Sequence, residues 1–186
     1  MSKINKVIFI SLNELNFDKI TKYLSKEKFK SFQEIVKNLS SPKSEIDYKK
    51  LEPWIQWVSI YFGKKADEHK VKRLGENIEV QSENIFQTLE KKGCNVGAIS
   101  PMNIFNTIKN PLYFIPDPWT ETKPDNNYWS KLIHNSISTL VKNNARKKIN
   151  FKSYVYFSLA FLRFARLKNY FLYIKLFFKG LKKKWF

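Results

Sequence analysis

Apolar and polar residues follow one another along the chain in blocks that predict an α/β domain. Val7–Leu12 is a continuous apolar run, which predicts a strand buried on both faces. Asn95–Ser100 and Leu112–Ile115 predict two more strands. Because helical patterns lie between and after these runs, we expect a mostly parallel sheet flanked by helices. Ligands of such sheets bind beyond the carboxyl ends of the strands.

Several segments carry the pattern of a helix. They are Phe17–Tyr23, Ser31–Leu39, a segment from Pro53 to Gly63, Ser82–Gly93, Asn103–Ile108 and Trp129–Val141. Ser82–Gly93 is the clearest, since it has a capping residue, an apolar stripe, lysines in its last turn and a closing glycine. Lys64–Gly75 is polar and is expected to form a loop.

Charge divides the chain into two parts. The 186 residues carry 34 Lys and Arg against 16 Asp and Glu, a net charge of +18. Residues 1–125 hold 20 of these basic residues and all 16 acidic ones, so they contribute +4. Residues 126–186 hold the other 14 basic residues and no acid, which gives +14. We therefore predict an α/β domain over residues 1–145 and a basic helical tail over residues 146–186.

The tail is aromatic as well as basic, and its pattern predicts two amphipathic helices. Lys152, Arg163 and Arg166 share one side of the first helix. The cations of the second helix lie on a side that does not line up with it, so we place a break near Lys168 and Asn169. These second-helix cations are Lys168, Lys175, Lys179, Lys182 and Lys183.

Three partners suit this composition. Cations near anionic head groups, with apolar side chains at the acyl boundary, suit a membrane surface. The same face could pack on a missing half-domain or a partner protein. Nucleic acid is a third partner and the less favoured one, because the tail is very apolar for a basic arm. The residues expected to contact a membrane or partner are Arg163, Arg166, Lys175, Lys179, Lys182 and Lys183.

Cysteine content and hydropathy bear on the compartment. Cys94 is the only cysteine, which fits a reducing compartment and excludes a disulfide within the chain. The apolar run Val7–Leu12 is short for a signal peptide, and no stretch approaches the roughly 20 apolar residues of a membrane span. We therefore expect a cytoplasmic protein, with peripheral membrane attachment as an option.

Polar residues that follow the predicted strands are the candidates for a site. Asn13 and Glu14 follow the first strand, and Asn103 lies just beyond the second, so all three are expected at one rim of the sheet. The segment from Leu51 to His69 supplies an aromatic wall, with Trp54, Gln56 and Trp57 as its candidates for contact with a substrate. For the two tryptophans, packing within the protein is the favoured interpretation.

The order of these motifs resembles the amino-terminal part of the alkaline-phosphatase-like superfamily, closest to its type I phosphodiesterase/nucleotide pyrophosphatase-like branch. In that family a strand leads into Asp-Gly, whose Asp binds a metal. A Thr or Ser nucleophile, Thr-Gly and His-Gly come later. Asn13-Glu14 falls on the Asp-Gly, Phe62-Gly63 on the Thr-Gly and His69-Lys70 on the His-Gly. The resemblance covers roughly residues 5–120 and implies a metal-dependent hydrolase of phosphate esters.

The chain departs from that pattern at the positions of the nucleophile and the metal ligands. Pro53 stands near the position of the nucleophile, and Ser59, the nearest hydroxyl, is out of register. Asn13 and Glu14 are the metal ligands that the resemblance implies, for zinc, manganese or a similar divalent ion. The family's other ligands come later than this chain reaches, so the resemblance implies a truncated or split form, or a reduced paralogue, with an incomplete site.

The few remaining reactive residues suit structural roles better. For Asn13-Glu14, a turn and capping pair is as good an interpretation as a metal site. His69 and His134 are expected to be structural, and Asp117 between two prolines to form a turn. The alternative to the hydrolase is a non-catalytic protein that binds an anionic membrane or a partner through its tail.

Overall fold

A parallel pair of short strands, β1 (Gly97–Ile99) and β2 (Tyr113–Ile115), lies at the centre of the described fold. The structure is a computed structural model, and it describes residues 6–13, 22, 33, 47–75, 82–145 and 151–175. The chain divides into two compact units, residues 1–53 and 54–186.

In the first unit, residues 6–12 form neither helix nor strand. The apolar side chains of Val7, Ile8, Phe9, Ile10 and Leu12 keep between 52% and 86% of their surface exposed. The predicted buried strand Val7–Leu12 is therefore wrong. An apolar run becomes a strand only where a second backbone pairs with it, and no described strand pairs with this one.

The rest of the first unit is described in small part. A 3-10 helix, Tyr48–Lys50, begins where the Asp47 carboxylate accepts a hydrogen bond from the Lys49 N–H. The predicted helices Phe17–Tyr23 and Ser31–Leu39 lie outside the described residues, apart from Lys22 and Gln33, which are both helical.

The second unit is a mixed α/β arrangement. Its elements are α1 (Pro53–Phe62, which starts at the unit boundary), α2 (Ala66–His69), α3 (Ile85–Lys91), β1, β2, α4 (Tyr128–Ala145), α5 (Phe151–Phe164), a 3-10 helix (Leu167–Asn169) and helical residues 170–175. This confirms the α/β class in its general form, with one two-stranded parallel sheet in the described part of the chain.

Local sequence explains the ends of α1 and α3. Pro53 opens α1, and Gly63 follows it with φ of +61°, a conformation that glycine adopts without strain. In α3, the Asn84 side chain accepts from the Gln87 N–H, and the Gln87 side chain accepts from the Asn84 N–H. The helix predicted over Ser82–Gly93 is confirmed for the shorter range Ile85–Lys91.

The core forms around the strand pair. Ala98 is paired with Phe114 in the middle of the ladder, and both side chains are buried. The buried cluster consists of Tyr61, Val96, Ala98, Ile104, Ile108 and Phe114. Both strands lie inside predicted ones. The sheet thus brings α1, the residues after β1 and the residues after β2 into one body.

Two local predictions are wrong. Lys64–Gly75 contains the short helix α2, whose start is capped because the Lys65 N–H donates to the Glu68 carboxylate at 2.7 Å. Residues 104–108 are not helical. Asn103 has φ of +57°, and tertiary hydrogen bonds take the backbone N–H groups of Asn103 and Asn106.

The tail packs on the α/β elements through its first helix. The ring of Phe164 on α5 meets the ring of Trp129 on α4 edge to face at 5.8 Å. The predicted break is confirmed, since α5 ends at Phe164 and a 3-10 helix separates it from helical residues 170–175. The domain boundary between residues 145 and 146 stays a prediction.

Candidate functional site

Asn103 lies just beyond the carboxyl end of β1, as the sequence predicts, and it is 5% exposed. Its backbone N–H donates to the Asp117 carboxylate at 2.8 Å, and its side-chain amide donates to the carbonyls of Trp54 and Arg73, each at 3.2 Å. Its amide oxygen accepts from the Gly75 N–H at 3.1 Å. One side chain therefore ties the start of α1 to the loop after α2.

Asp117 follows β2 and is 1% exposed. One carboxylate oxygen accepts from the backbone N–H groups of Trp119 and Thr120 at 2.8 and 2.9 Å. The other accepts from the Thr120 hydroxyl and from the Asn103 N–H. Four donors thus satisfy this buried carboxylate, which is how proteins hold a charge in the interior.

We call Asn103, Asp117, Thr120 and Gly75 the Asn103–Asp117 cluster. It sits where an α/β fold usually binds its ligand. Its polar groups, however, are directed at one another and at backbone groups of this chain. The cluster fixes the loops beyond the strands, and the prediction that Asn103 contacts a substrate stays a prediction. The turn predicted at Asp117 is confirmed.

A serine–histidine pair, of which the histidine is buried and the serine half-buried, connects α1 with α2. His69 is 2% exposed, and its Nε2 lies 2.9 Å from the Ser59 hydroxyl oxygen. The Val71 N–H donates to Nδ1 of the same ring at 3.1 Å, so the ring proton lies on Nε2. The Ser59 hydroxyl donates to the Ile55 carbonyl at 3.2 Å.

The direction of these hydrogen bonds decides what the pair can do. In a nucleophile–base pair, the histidine accepts the proton of the hydroxyl. Here the histidine donates to Ser59, while the serine proton points to a carbonyl. Desolvation by burial lowers the pKa of His69 below its ordinary value, against the opposing effect of the Asp67 and Glu68 carboxylates. The pair is a hydrogen-bonded link between the two helices, which confirms that His69 is hydrogen-bonded. His69 ends α2 and does not lie in the expected loop, and its structural role stays a prediction.

The predicted aromatic wall lies on α1. Trp54 donates its indole N–H to the Lys72 carbonyl at 3.2 Å, which fastens α1 to the loop after α2. Trp57 stacks on Tyr61 with ring centroids 5.8 Å apart. Gln56 is half-buried. Trp54 and Asn103 are brought together by the hydrogen bond between them, as a shared rim requires. Contact of the wall with a substrate stays a prediction.

His134 lies on α4 and is half-buried. Desolvation lowers its pKa, and the nearby Pro116 carbonyl acts in the opposite direction. The Ser138 hydroxyl is 3.4 Å from the ring nitrogens, one helical turn away. His134 therefore has neighbours on its own helix and next to β2, in keeping with a structural role.

The predicted metal ligands are described in part. Asn13 lies in a turn with an exposed side chain, and Glu14 lies outside the described residues. Within the described ranges, no three His, Cys, Asp or Glu side chains are placed to hold a metal ion. A two-metal phosphoesterase centre needs several such ligands around ions about 4 Å apart. The described residues do not fit one, so the metal site at Asn13 and Glu14 stays a prediction.

The tail presents its apolar side chains outward. Phe151, Val155, Leu159 and Leu162 are spaced by four, four and three residues, so they form one stripe along α5. They are 78%, 41%, 42% and 64% exposed. In a helix packed on a protein core, such a stripe faces inward.

The 3-10 helix and the helical residues after it carry a second exposed apolar stripe. Leu167 in the 3-10 helix, and Phe171 and Ile174 after it, are spaced by four and three residues and are 79%, 80% and 52% exposed, and the neighbouring Leu172 and Tyr173 are exposed as well. Lys168 and Lys175 are exposed beside this stripe, one residue after Leu167 and Ile174. The two stripes and the exposed cations Lys152, Arg163, Arg166, Lys168 and Lys175 form what we call the tail surface.

One predicted grouping in the tail is wrong in detail. Arg166 lies beyond the end of α5, at the start of the 3-10 helix, so it does not share a helix side with Lys152 and Arg163. Lys179, Lys182 and Lys183 lie outside the described residues. None of the helices in the described ranges is long and apolar enough to cross a membrane.

Sequence reasoning missed two features of these sites. It treated Ser59 and His69 separately, although the two flank a helix end at Gly63, where the chain turns back. It predicted amphipathic helices in the tail but named only their cations, although the spacing of Leu167, Phe171 and Ile174 indicates which apolar side chains lie together. That spacing alone does not show whether the stripe is covered.

Comparisons with known proteins provide no identity for the chain. No family model matches it, and neither a curated protein nor a solved structure shows significant similarity to it. The relation to the alkaline-phosphatase-like superfamily therefore stays a prediction from motif order, and functional inference rests on the geometry of the described residues.

Proposed function

We propose that this protein is a non-catalytic membrane-binding protein that attaches to anionic lipid surfaces through its tail. The observation that carries the proposal is the tail surface, where two exposed apolar stripes lie beside exposed cations. Residues 126–186 contain no acidic residue that would repel anionic lipid. A helix in the headgroup region needs this combination of apolar stripe and flanking cations.

Charge and apolar contact act together in this proposal. Each Lys or Arg near an anionic leaflet contributes about 1 kcal/mol. Arg163, Arg166, Lys168 and Lys175 are all exposed, so together they contribute roughly 4 kcal/mol. Apolar side chains at the acyl boundary contribute about 25 cal/mol per Å² that leaves water. Because both contributions come from one surface, we expect binding to require anionic lipid and to weaken with salt.

Vesicle co-sedimentation of the full chain tests the proposal. Vesicles of phosphatidylcholine with phosphatidylserine should bind the protein, and pure phosphatidylcholine vesicles should bind it weakly. Replacing Arg163, Arg166, Lys168 and Lys175 by Gln should weaken binding several-hundred-fold, from about 1 kcal/mol per cation. The matched control exchanges Arg for Lys and Lys for Arg at these four positions, which keeps the charge and should keep the binding.

A tail that binds another kind of partner would give different results. Equal binding of the four-glutamine variant and the charge-preserving control would contradict the proposal. The proposal would also be contradicted if the protein did not bind anionic vesicles but formed dimers or bound single-stranded RNA. Sedimentation velocity and RNA titration under the same salt conditions distinguish these outcomes.

A second candidate is the phosphoesterase-like domain that the motif order implies. The parallel pair β1 and β2, with α3 and Gly93 directly before β1, supports it, because this helix–glycine–strand order is part of the resemblance. In this proposal the chain descends from metal-dependent phosphate-ester hydrolases but has no complete site of its own. We expect no turnover of p-nitrophenyl phosphate esters by the pure chain with zinc or manganese. Metal-dependent turnover that Glu14→Ala abolishes would show that the site is complete.

A further inference from the structure

Exposed large apolar side chains lie close together in sequence at the corner where α5 ends and the chain turns, and Phe151, alone at the start of α5, is exposed to a similar extent. Leu162, Phe164, Leu167 and Phe171 are 64%, 51%, 79% and 80% exposed. Val155 and Leu159, further back on α5, are 41% and 42% exposed. We call residues 162–172 the corner. It concentrates large apolar side chains at one end of the two helical segments.

Aromatic packing holds the corner in shape. Phe161 on α5 stacks on Tyr170 at 5.1 Å and meets Tyr173 edge to face at 5.4 Å. The Tyr170 hydroxyl donates to the Leu162 carbonyl at 3.3 Å. These contacts join the two helical segments across the break. The apolar side chains are thus presented by a fixed turn, which lowers the ordering entropy that binding would cost.

The cations of the corner stand beside the apolar side chains. The Arg163 guanidinium lies over the rings of Trp129 and Phe164, 5.2 and 5.7 Å from their centroids. Arg166 and Lys168 are exposed and directly precede and follow Leu167 in the sequence. Long basic side chains can stay at the phosphate level while neighbouring apolar groups go deeper.

From this geometry we propose that the corner inserts into the acyl boundary of an anionic bilayer, with Leu167 and Phe171 deepest and Arg163, Arg166 and Lys168 at the phosphates. This inference rests on the proposed membrane binding and specifies the part of the tail that enters the lipid. Charge selects the occupant, since a corner with three cations and no acid fits an anionic lipid surface better than a second copy of the same basic chain.

A fluorescent label on a single cysteine tests the insertion. Cys94 is exposed and is the only cysteine, so it can be labelled with an environment-sensitive NBD group or replaced by Ser. The test protein carries Cys94→Ser and Leu167→Cys with NBD at position 167. With phosphatidylserine-containing vesicles we expect a blue shift, a several-fold rise in emission and quenching by lipids labelled within their acyl chains. NBD on Cys94 of the otherwise unchanged protein should show none of these changes.

A pair of serine variants measures the contribution of the corner without a label. Phe171→Ser should weaken vesicle binding roughly tenfold to hundredfold, which is the effect of burying one large apolar side chain. Ile60→Ser removes an apolar side chain on α1 that is 52% exposed, outside the tail, and should leave binding unchanged. Circular dichroism checks that both variants keep their helices.

The outcomes separate this inference from the proposed function. If the protein co-sediments but the label at 167 keeps its emission, the insertion is wrong and surface binding stands. If nothing co-sediments, the proposed function fails. A blue shift without vesicles that grows with protein concentration would show that a second copy covers the corner, and would overturn the inference.

Discussion

The Asn103–Asp117 cluster and the tail surface use polar groups in opposite ways. In the cluster, four donors surround one buried carboxylate, and the amide of Asn103 binds three backbone groups. On the tail surface, cations are exposed beside exposed apolar side chains. The cluster occupies the place where the fold class predicts a ligand, yet its groups are directed inward. Position in the fold therefore indicates a site less reliably than the direction of the polar groups.

The largest effect on stability should come from the cluster. Asp117→Asn leaves one amide oxygen for four donors and turns an N–H₂ group towards the others. We expect the free energy of unfolding to fall by about 3 kcal/mol, because hydrogen bonds to a buried charged group contribute about 1.5–3 kcal/mol each. Urea unfolding followed by circular dichroism measures it.

Two controls sharpen this contrast. Glu121→Gln changes an exposed carboxylate in the same loop and should shift stability by less than about 0.5 kcal/mol. The four-glutamine variant of the tail loses the contact of Arg163 with the Trp129 ring, so it should lose about 0.5–1 kcal/mol of stability while it loses vesicle binding. A stable Asp117→Asn protein, or a tail variant that unfolds easily, would break the comparison.

Alanine substitution at two glycines should lower the free energy of unfolding by smaller amounts, and the two positions can be compared directly. Gly75 belongs to the cluster, has φ of +71°, and a Cβ there would lie 3.0 Å from the Trp119 carbonyl oxygen. Gly63 has φ of +61° and nothing within 4 Å of such a Cβ. We expect Gly75→Ala to lower the free energy of unfolding by about 2 kcal/mol and Gly63→Ala by about 1 kcal/mol. Equal losses in urea unfolding would mean that the contact with Trp119 relaxes without cost.

The smallest effect should be a pH dependence. Desolvation lowers the pKa of His69 in the folded protein below its ordinary value of 6.5. The unfolded chain therefore binds a proton more readily, and stability should fall as the pH drops below about 6.5. His69→Gln should be less stable near neutral pH and should flatten this dependence. The pH dependence of His134→Gln serves as the comparison. Burial also lowers the pKa of His134, but this side chain is only half-buried. The free energy of unfolding is measured at several pH values. If its slope against pH is the same in His69→Gln as in the unchanged protein, His69 is not the group responsible.

Local signals were predictable where the cause lies within a few residues. A capping residue precedes α3, Gly63 follows α1, and the 3-10 helix interrupts the tail near Lys168, all as the sequence indicates, although the sequence did not single out Asn84 as the cap. The conformation of Val7–Leu12 was not predictable in this way, because an apolar run forms a strand only with a partner that is distant in sequence. The candidate site was likewise only partly predictable, because its hydrogen bonds join segments that are distant in sequence. Asn103 was found by its place after a strand, but its bonds to Arg73 and Gly75 join distant parts of the chain.

The sequence by itself determined the α/β class, the helix ends and the concentration of positive charge in the last third of the chain. These follow from spacing, capping and composition, which act locally or add up along the chain. Only the tertiary structure decided that Asp117 and Asn103 bind each other, that His69 donates to Ser59, and that the apolar stripes of the tail face outward. Each of these depends on which segments contact one another in the folded chain. Those contacts set the burial of a side chain and the direction of its hydrogen bonds, and the same residue types occur both in protein interiors and on binding surfaces.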